Sequence, residues 1–141
     1  TLSQLEQQGR SEHAEVVIVD RVGVLGDLYA LADLAFVGGG FHSAGLHSVI
    51  EPAAFGVPVL FGPQHHMSRE AGLLLETGGA FSVSSAQSMR DNLRLLLQSS
   101  DARHAAGAQA RAVVQAERGA TAKSLQLVER LTRHFELSPE A

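Results

Sequence analysis

Apolar residues in the first half of the chain occur in short runs that are separated by glycine-rich or polar loops. Runs of this kind end at Val19, Val37, Phe61 and Val83, and a loop and a segment with helical spacing follow each of the first three. Short apolar runs that alternate with helical segments are typical of a parallel sheet with right-handed crossovers. We therefore expect an α/β fold, a doubly wound parallel sheet.

The pattern predicts four strands, at 15–20, 34–37, 59–61 and 80–83. Residues 16–19 form a β-branched run that is typical of a strand buried on both faces. A short helix that ends near Gly9 precedes this strand, and Asp27 is expected to cap the next helix. Four strands are few for an open nucleotide-binding sheet, so we expect the chain to be a fragment that lacks its first strand.

Only helices are predicted after Val83. Ser84 and Gln87 have the spacing of a capping box, and a second helix is expected from Asp101 to about Arg118. Thr121 is expected to cap a third helix, which carries apolar residues at 125, 128, 131 and 135. No linker or repeat divides residues 1–141, so we expect a single domain.

The segment 36–63 contains most of the candidate chemistry. Three glycines, Gly38 to Gly40, follow a predicted strand, and they either allow a ligand to approach the backbone or form a plain turn. Ser48 and Glu51 fit a capping box at the start of the helix 49–55, which would end at Gly56. Glu51 can cap this helix, accept hydrogen bonds from the two hydroxyls of a ribose, or do both.

Three loops follow predicted strands, at 21–26, 38–47 and 62–67, and they are expected to meet in one cleft. The last two loops contain four histidines: His42, His47, His65 and His66. His47 could bind a phosphate or brace its loop. No H-E-x-x-H pattern or DxD motif is present, so no metal site is expected. Ser48 lies in no nucleophile-elbow pattern.

Composition narrows the possible partners. The formal net charge is −4 and the pI is near 5.9, so there is no basic surface on which to argue nucleic-acid binding. The chain contains no cysteine, which excludes disulfides and thiolate metal sites. No apolar run approaches the length of about 20 residues that a membrane span requires.

Short motifs occur in a characteristic order between Val16 and Thr121. They are Asp20-x-x-Gly23, Leu28-Tyr29-Ala30, Ala32-Asp33-Leu34-Ala35-Phe36-Val37-Gly38-Gly39, Gly45-x-His47-x-x-x-Glu51-Pro52-Ala53-Ala54, Gly56-x-Pro58-Val59-Leu60-x-Gly62-Pro63 and Glu70. Together they resemble the C-terminal half of the 3-deoxy-D-manno-octulosonic acid (Kdo) transferases, the GT-B glycosyltransferases of lipid A assembly.

The resemblance implies a Rossmann-like parallel sheet with helices on both faces, the C-terminal domain of a GT-B fold, closed by C-terminal helices. In that family this domain binds CMP-Kdo, while the N-terminal domain holds the acceptor lipid, the membrane contact and the catalytic carboxylate. The loop 22–24 and the segment 48–51 match the family's CMP-binding motifs, with Glu51 on the ribose and the helix N-terminus on the phosphate. The candidate donor-binding residues are Val22, Gly23, Val24, Gly39, Gly40, His47, Ser48, Val49, Ile50 and Glu51.

The resemblance also implies that the full protein and the present chain differ in what they can do. The full protein would transfer Kdo from CMP-Kdo to a lipid A precursor at the cytoplasmic side of the bacterial inner membrane, in lipopolysaccharide core biosynthesis. The present chain would contain no catalytic residue, metal or cofactor, would bind nucleotide weakly, and would be inactive without the N-terminal domain. Membrane contact would not come from this chain.

The chain departs from the family pattern near Met67, where an Asn that is common after the Gly-Pro pair is replaced, and at two positions of the candidate donor site. Val24 stands where most members have Glu, and Ser48 stands where they have Asn. These changes remove two polar side chains and leave two alternatives open. One is a GT-B glycosyltransferase that uses a UDP- or GDP-sugar, and the other is a non-catalytic Rossmann-like binding module.

Overall fold

The computed structural model describes residues 1–8 and 14–136. Three parallel strands form its sheet: β1 (Ala35–Val37), β2 (Val59–Phe61) and β3 (Ala80–Ser82), in the order β1-β2-β3. Phe36 lies beside Leu60 in the register, and Leu60 lies beside Phe81. The strands predicted at 34–37, 59–61 and 80–83 are therefore confirmed.

Seven helices are present in the described residues. They are α1 (Leu2–Gln8), α2 (Leu25–Tyr29), α3 (Ile50–Ala54), α4 (Arg69–Thr77), α5 (Ala86–Gln98), α6 (Ser100–Ala116) and α7 (Ala120–Glu136). α3 connects β1 to β2, and α4 connects β2 to β3, so each pair of neighbouring parallel strands is joined by a helical crossover. This confirms the expected α/β fold with a parallel sheet.

One face of the sheet packs against α3, α4 and α6. Side chains alternate between the two faces along a strand, so Val59 and Phe61 both point to this side. They form one core cluster with Ala53 of α3, Leu74 of α4 and Ala110 of α6. All five side chains are fully buried, which makes this cluster the larger core of the fold.

The opposite face packs against α5. Leu60 points to this side and forms a second cluster with Val83, with Leu96 of α5 and with Ala106 of α6. α6 therefore contributes to the cores on both faces, and it also packs against α3, α4 and α5. Helices cover both faces of the sheet and α5 and α6 close it, as expected from the resemblance.

A glycine in α6 permits the closest approach between elements. A Cβ atom added at Gly107 would overlap the carbonyl oxygen of Gly56 and would lie 3.1 Å from the carbonyl carbon. Gly56 follows α3 and has a φ of +75°, which confirms its predicted role as the residue that ends this helix. A side chain at Gly107 would therefore push α6 away from the turn between α3 and β2.

The predicted strand at 15–20 is wrong. Residues 14–20 form no strand, and the side chains of Val16 and Ile18 are 82% and 66% exposed. The amide of Leu2 donates to the Ile18 carbonyl (2.9 Å), and the amide and hydroxyl of Ser3 donate to the Asp20 carboxylate (3.1 and 2.9 Å). β-branched residues favour extended backbone, but a strand also needs a neighbouring ladder, and this segment contacts α1 instead.

The carboxylate of Asp20 is held in its charged form by these contacts. Hydrogen bonds from the Thr1 side chain, and then from the Ser3 backbone and side chain, lower the pKa of Asp20 from 3.8 to about 2. Asp20 was predicted to end a strand, directly before the loop 21–26. It anchors the first turn of α1 instead, because no sheet strand precedes it.

Several predicted caps are displaced. α2 begins at Leu25, so Asp27 lies in the first turn and is not the N-cap. Helix α5 has its capping box at Ser85 and Ser88, one residue after the predicted pair Ser84 and Gln87. Adjacent serines offer equivalent caps, so the start of α5 follows from how its apolar stripe packs on the sheet.

The remaining helix boundaries differ little from the predictions. α6 begins at Ser100 with Ser99 as its N-cap, one residue before Asp101, and ends at Ala116. α7 begins at Ala120, one residue before the predicted cap Thr121, and the side chains at 125, 128 and 131 are about half exposed. The predicted helix end at Gly9 and the side chain of Phe135 lie outside the described residues.

Candidate functional site

The glycine loop after β1 packs against its own far end and against the loop after β2. Gly39 has a φ of +92°, and a Cβ atom there would overlap the carbonyl oxygen of Gly45. A Cβ atom at Gly40 would lie 2.7 Å from the backbone nitrogen of Gly62. The backbone contacts therefore account for these two glycines, and they bring the loops of neighbouring strands together.

A cleft of about 210 Å³ lies between these two loops. Because β1 and β2 are adjacent and parallel, the loops at their carboxyl ends meet at the same edge of the sheet. The cleft is lined by His42, Ser43, Gly45, Leu46, Gln64, His65, His66, Met67 and Ser68. The expected meeting of the loops 38–47 and 62–67 is confirmed.

The third loop, 21–26, does not line this cleft. The prediction that three loops form one cleft is wrong in this respect, because the segment before Arg21 is not a strand of the sheet. Three of the four loop histidines line the cleft. The fourth, His47, does not, and its backbone amide donates to the Gly38 carbonyl (3.1 Å).

His65 is the most constrained histidine of the cleft. Its ring packs against Phe61 with 5.2 Å between the ring centroids, and its Nδ1 lies 3.4 Å from the Gly62 carbonyl oxygen. A carbonyl oxygen can only accept a hydrogen bond, so the contact is a hydrogen bond in the tautomer that carries its proton on Nδ1. In the neutral ring, Nε2 is then left as an acceptor.

Ser68 closes the other end of the cleft as the N-cap of α4. Its hydroxyl accepts a hydrogen bond from the Ala71 amide (3.2 Å) and donates to the Glu70 carboxylate (3.3 Å). The N-terminal end of α4 consequently lies at the cleft. At its other end, α4 is terminated by Gly78, which has a φ of +79°.

Glu51 lies in a second group of residues, where α2 packs against α3. The rings of Tyr29 in α2 and Phe55 at the end of α3 are 6.4 Å apart. Burial, and secondly the nearby Glu51 carboxylate, raises the pKa of Tyr29. This packing brings the loop 22–24, just before α2, towards the segment 48–51. The two segments that match the family's donor-binding motifs are therefore on neighbouring elements.

The capping box predicted at Ser48 and Glu51 is not formed. α3 begins at Ile50, its N-cap is Val49 in a helical backbone conformation, and no side chain caps it. The reason is that the Val49 side chain is 2% exposed and belongs to the larger core, so packing decides where the helix begins. The Glu51 carboxylate is left exposed and without a capping role.

The other candidate residues differ in what they can present to a ligand. Val22 is 96% exposed, while Val24 is the partly buried N-cap of α2. Gly23 has a φ of +87°, and a Cβ atom there would meet nothing within 4 Å. The backbone conformation of the turn therefore accounts for the glycine, and close packing does not. Ser48 is exposed and Ile50 is partly buried, whereas Val49 can offer a ligand only its backbone.

Two features at the carboxyl ends of the strands were not predicted from the sequence. Tyr29 was noted only as part of a motif, and its proximity to Glu51 depends on α2 packing against α3. Gln64 was not singled out, although its position directly after Gly62-Pro63 was a signal that it would lie at a strand end.

The cleft histidines do not form a metal site. Among the described residues, no group of three or more His, Cys, Asp or Glu side chains could hold a metal ion. Within the same residues, no helix combines the length and the apolar character needed to cross a membrane.

Comparison with known proteins identifies close matches along most of the chain. A 3-deoxy-D-manno-octulosonic acid transferase of Haemophilus influenzae is 32% identical over 120 residues, which is 84% of this chain and 28% of that protein. The enzyme of the same name from Bordetella pertussis is 34% identical over 118 residues, 83% of this chain and 28% of that protein. That of Aquifex aeolicus is 41% identical over 66 residues, 47% of this chain and 19% of that protein. No family model matches the chain.

A solved structure agrees with these matches. The crystal structure of the C-terminal CMP-Kdo binding domain of WaaA from Acinetobacter baumannii superposes with a TM-score of 0.67 and 28% sequence identity, covering 78% of this chain and 59% of that one. The chain spans 19% to 28% of the length of the three curated relatives above. It belongs to the 3-deoxy-D-manno-octulosonic acid transferase family, and its counterpart there is the C-terminal domain.

Proposed function

We propose that this chain is the donor-binding half of a glycosyltransferase that transfers Kdo from CMP-Kdo to a lipid A precursor. The observation that carries the proposal is the match, over 78% of the chain, to a domain described as binding CMP-Kdo. The acceptor, the catalytic carboxylate and the membrane contact belong to the remainder of such an enzyme. In this proposal the domain works in lipopolysaccharide core biosynthesis, at the cytoplasmic side of the inner membrane.

The geometry supports a nucleotide site beside α2 and α3. Glu51 is exposed and its carboxylate makes no capping hydrogen bond, so its acceptor oxygens are available to the two hydroxyls of a ribose. The loop 22–24 lies on the neighbouring element, where its backbone can contact the base or the ribose. Exposed Ser48 and His47 lie just before α3, where they can hydrogen-bond a phosphate.

Nucleotide titration of the 141-residue chain tests the donor class. CMP, UMP and GMP are added separately to the isotope-labelled protein, and amide shifts are followed by NMR. We expect CMP to bind most tightly and to shift the amides of residues 22–24 and 48–51. Tighter binding of UMP or GMP would instead indicate another nucleotide-sugar enzyme, and no binding of any nucleotide would indicate a module that has lost donor binding.

Glu51→Ala tests the ribose contact. A hydrogen bond to a charged group contributes about 1.5–3 kcal/mol, so we expect CMP affinity to fall by about 10- to 100-fold. Glu76→Ala is the matched control, because Glu76 is equally exposed but lies near the end of α4, at the opposite edge of the sheet. Unchanged CMP affinity in Glu51→Ala would remove Glu51 from the site.

A further inference from the structure

We infer that the cleft between the loops after β1 and β2 holds the acidic sugar of the nucleotide sugar, next to the nucleotide site. The inference rests on the proposed function and adds to it a second subsite with its own residues. None of the donor residues predicted from the sequence lines this cleft.

The position of the cleft places it within reach of a ligand bound at α3. Leu46 lines the cleft, and Ser48 begins the segment proposed to bind the nucleotide phosphate. Two residues of extended chain span at most about 7 Å, so the two sites are contiguous. A sugar esterified to a phosphate near Ser48 would therefore extend into the cleft.

The volume of the cleft fits a single sugar better than a whole nucleotide sugar. Sites for drug-sized ligands measure roughly 300–1,000 Å³. The cleft measures about 210 Å³, so it suits a single sugar and is too small for a nucleotide sugar. The nucleotide must then lie outside it, as the separate position of Glu51 requires.

The lining chemistry suits a polyhydroxylated acid. None of the nine lining residues is acidic, although the chain as a whole carries a net charge of −4. In the tautomer that donates from Nδ1 to the Gly62 carbonyl, the Nε2 of His65 can accept a hydrogen bond from a sugar hydroxyl. Gln64 and Ser43 add donors and acceptors. His42 and His66 provide further imidazoles that can donate to the carboxylate.

Binding measurements on the 141-residue chain separate the two subsites. The isolated C-terminal domain of the Acinetobacter relative has been crystallised, which supports work on a domain alone. The dissociation constants of CMP and of freshly prepared CMP-Kdo are measured by calorimetry. In wild type we expect CMP-Kdo to bind at least about tenfold more tightly than CMP, because the sugar adds hydrogen bonds that CMP lacks.

Two variants test the residues of the cleft. His65→Phe keeps the ring that packs on Phe61 and removes both nitrogens, and Ser43→Ala removes a hydroxyl from the loop opposite. We expect each variant to reduce the advantage of CMP-Kdo by about fivefold and to leave CMP affinity within twofold. His104→Phe is the matched control, because His104 is an exposed histidine of α6 that does not line the cleft. A one-dimensional NMR spectrum verifies that each variant is folded.

The outcomes distinguish this inference from the proposed function. If CMP binds but CMP-Kdo gains nothing, or if the gain survives both variants, the sugar subsite is refuted and the nucleotide site stands. If CMP does not bind, the proposed function fails. The sugar subsite is also tested without the nucleotide, by adding free Kdo at millimolar concentration and following the imidazole signals by NMR. Shifted imidazole signals of His65 and His66, with those of His104 unchanged, would support the cleft as a sugar-acid site, and unshifted signals would refute it.

Discussion

Gly107→Ala is expected to destabilise the domain although alanine is the better helix former. In an unobstructed helix this change would stabilise by about 1 kcal/mol. In α6, the added Cβ would overlap the carbonyl oxygen of Gly56 and lie 3.6 Å from Cδ of Pro58. The obstacle is backbone, and the turn is held by Arg111, whose side chain donates to the Phe55 carbonyl (2.6 Å). Neither partner can rotate away.

The expected magnitude follows from the two opposing effects. Overpacking costs about 1–3 kcal/mol, and a clash with backbone lies at the upper end of that range. α6 also carries Ala106 and Ala110 in the two cores, so moving it disturbs both. Subtracting the gain in helix propensity leaves a net destabilisation of about 2 kcal/mol. With a urea m-value of about 2 kcal/mol/M, the unfolding midpoint should fall by about 1 M.

Gly72→Ala is the matched control for this experiment. Gly72 lies inside α4, and a Cβ atom there would meet nothing within 4 Å. The control should raise the free energy of unfolding by up to about 1 kcal/mol. Urea unfolding followed by circular dichroism compares the three proteins. A Gly107→Ala protein as stable as wild type would show that α6 can move from the Gly56 turn at no cost, and would refute the packing argument.

Three further predictions concern single side chains. Ser68→Ala should lower the free energy of unfolding by about 1 kcal/mol, because Ser68 caps α4. Ser48→Ala should have no comparable effect, because the Ser48 side chain caps no helix. Urea unfolding measures both variants, and equal losses of stability would contradict the assignment of Ser68 as the cap. In the wild type, Asp20 contributes stability that is present above pH 3.8 and is lost as the pH falls through about 2, because its pKa is lower in the folded state than in the unfolded state. Asp20→Asn should remove this contribution. NMR titration of the Asp20 carboxyl carbon in the wild type should give a pKa of about 2, and a value near 3.8 would refute the contacts between Asp20 and α1. Glu51→Gln should lower the pKa of Tyr29 but not restore its ordinary value, because burial is the larger cause of the raised pKa. The chain has a single tyrosine, so phenolate absorbance reports on Tyr29 alone. An unchanged titration would show that the Glu51 carboxylate does not lie near Tyr29.

The strands of the sheet could be predicted because their signals are local. Three short apolar runs, each bounded by glycine or by a polar loop, became β1, β2 and β3. The run at 16–19 is also apolar and β-branched but forms no strand, because pairing depends on which neighbour reaches it. Composition indicates which residues favour extended backbone and leaves the neighbour undetermined.

The candidate site was predictable in part for the same reason. The meeting of two loops after adjacent strands follows from the rule for parallel sheets, and the structure confirms it. The capping box at Ser48 and Glu51 had an equally good pattern and does not form, because burial of Val49 moves the start of α3. Local chemistry was overridden there by packing in the core.

The sequence by itself determined the α/β class, the order of the elements from α2 onwards and the segments that match the transferase family. These properties depend on periodicity, turn residues and motif spacing, which neighbouring residues encode. Only the tertiary structure decided that Gly39, Gly40 and Gly107 serve backbone contacts, that Glu51 lies near Tyr29, and that the cleft histidines lie apart from the matched donor motifs. These facts depend on how loops and helices pack in the folded domain, which the order of neighbouring residues does not specify.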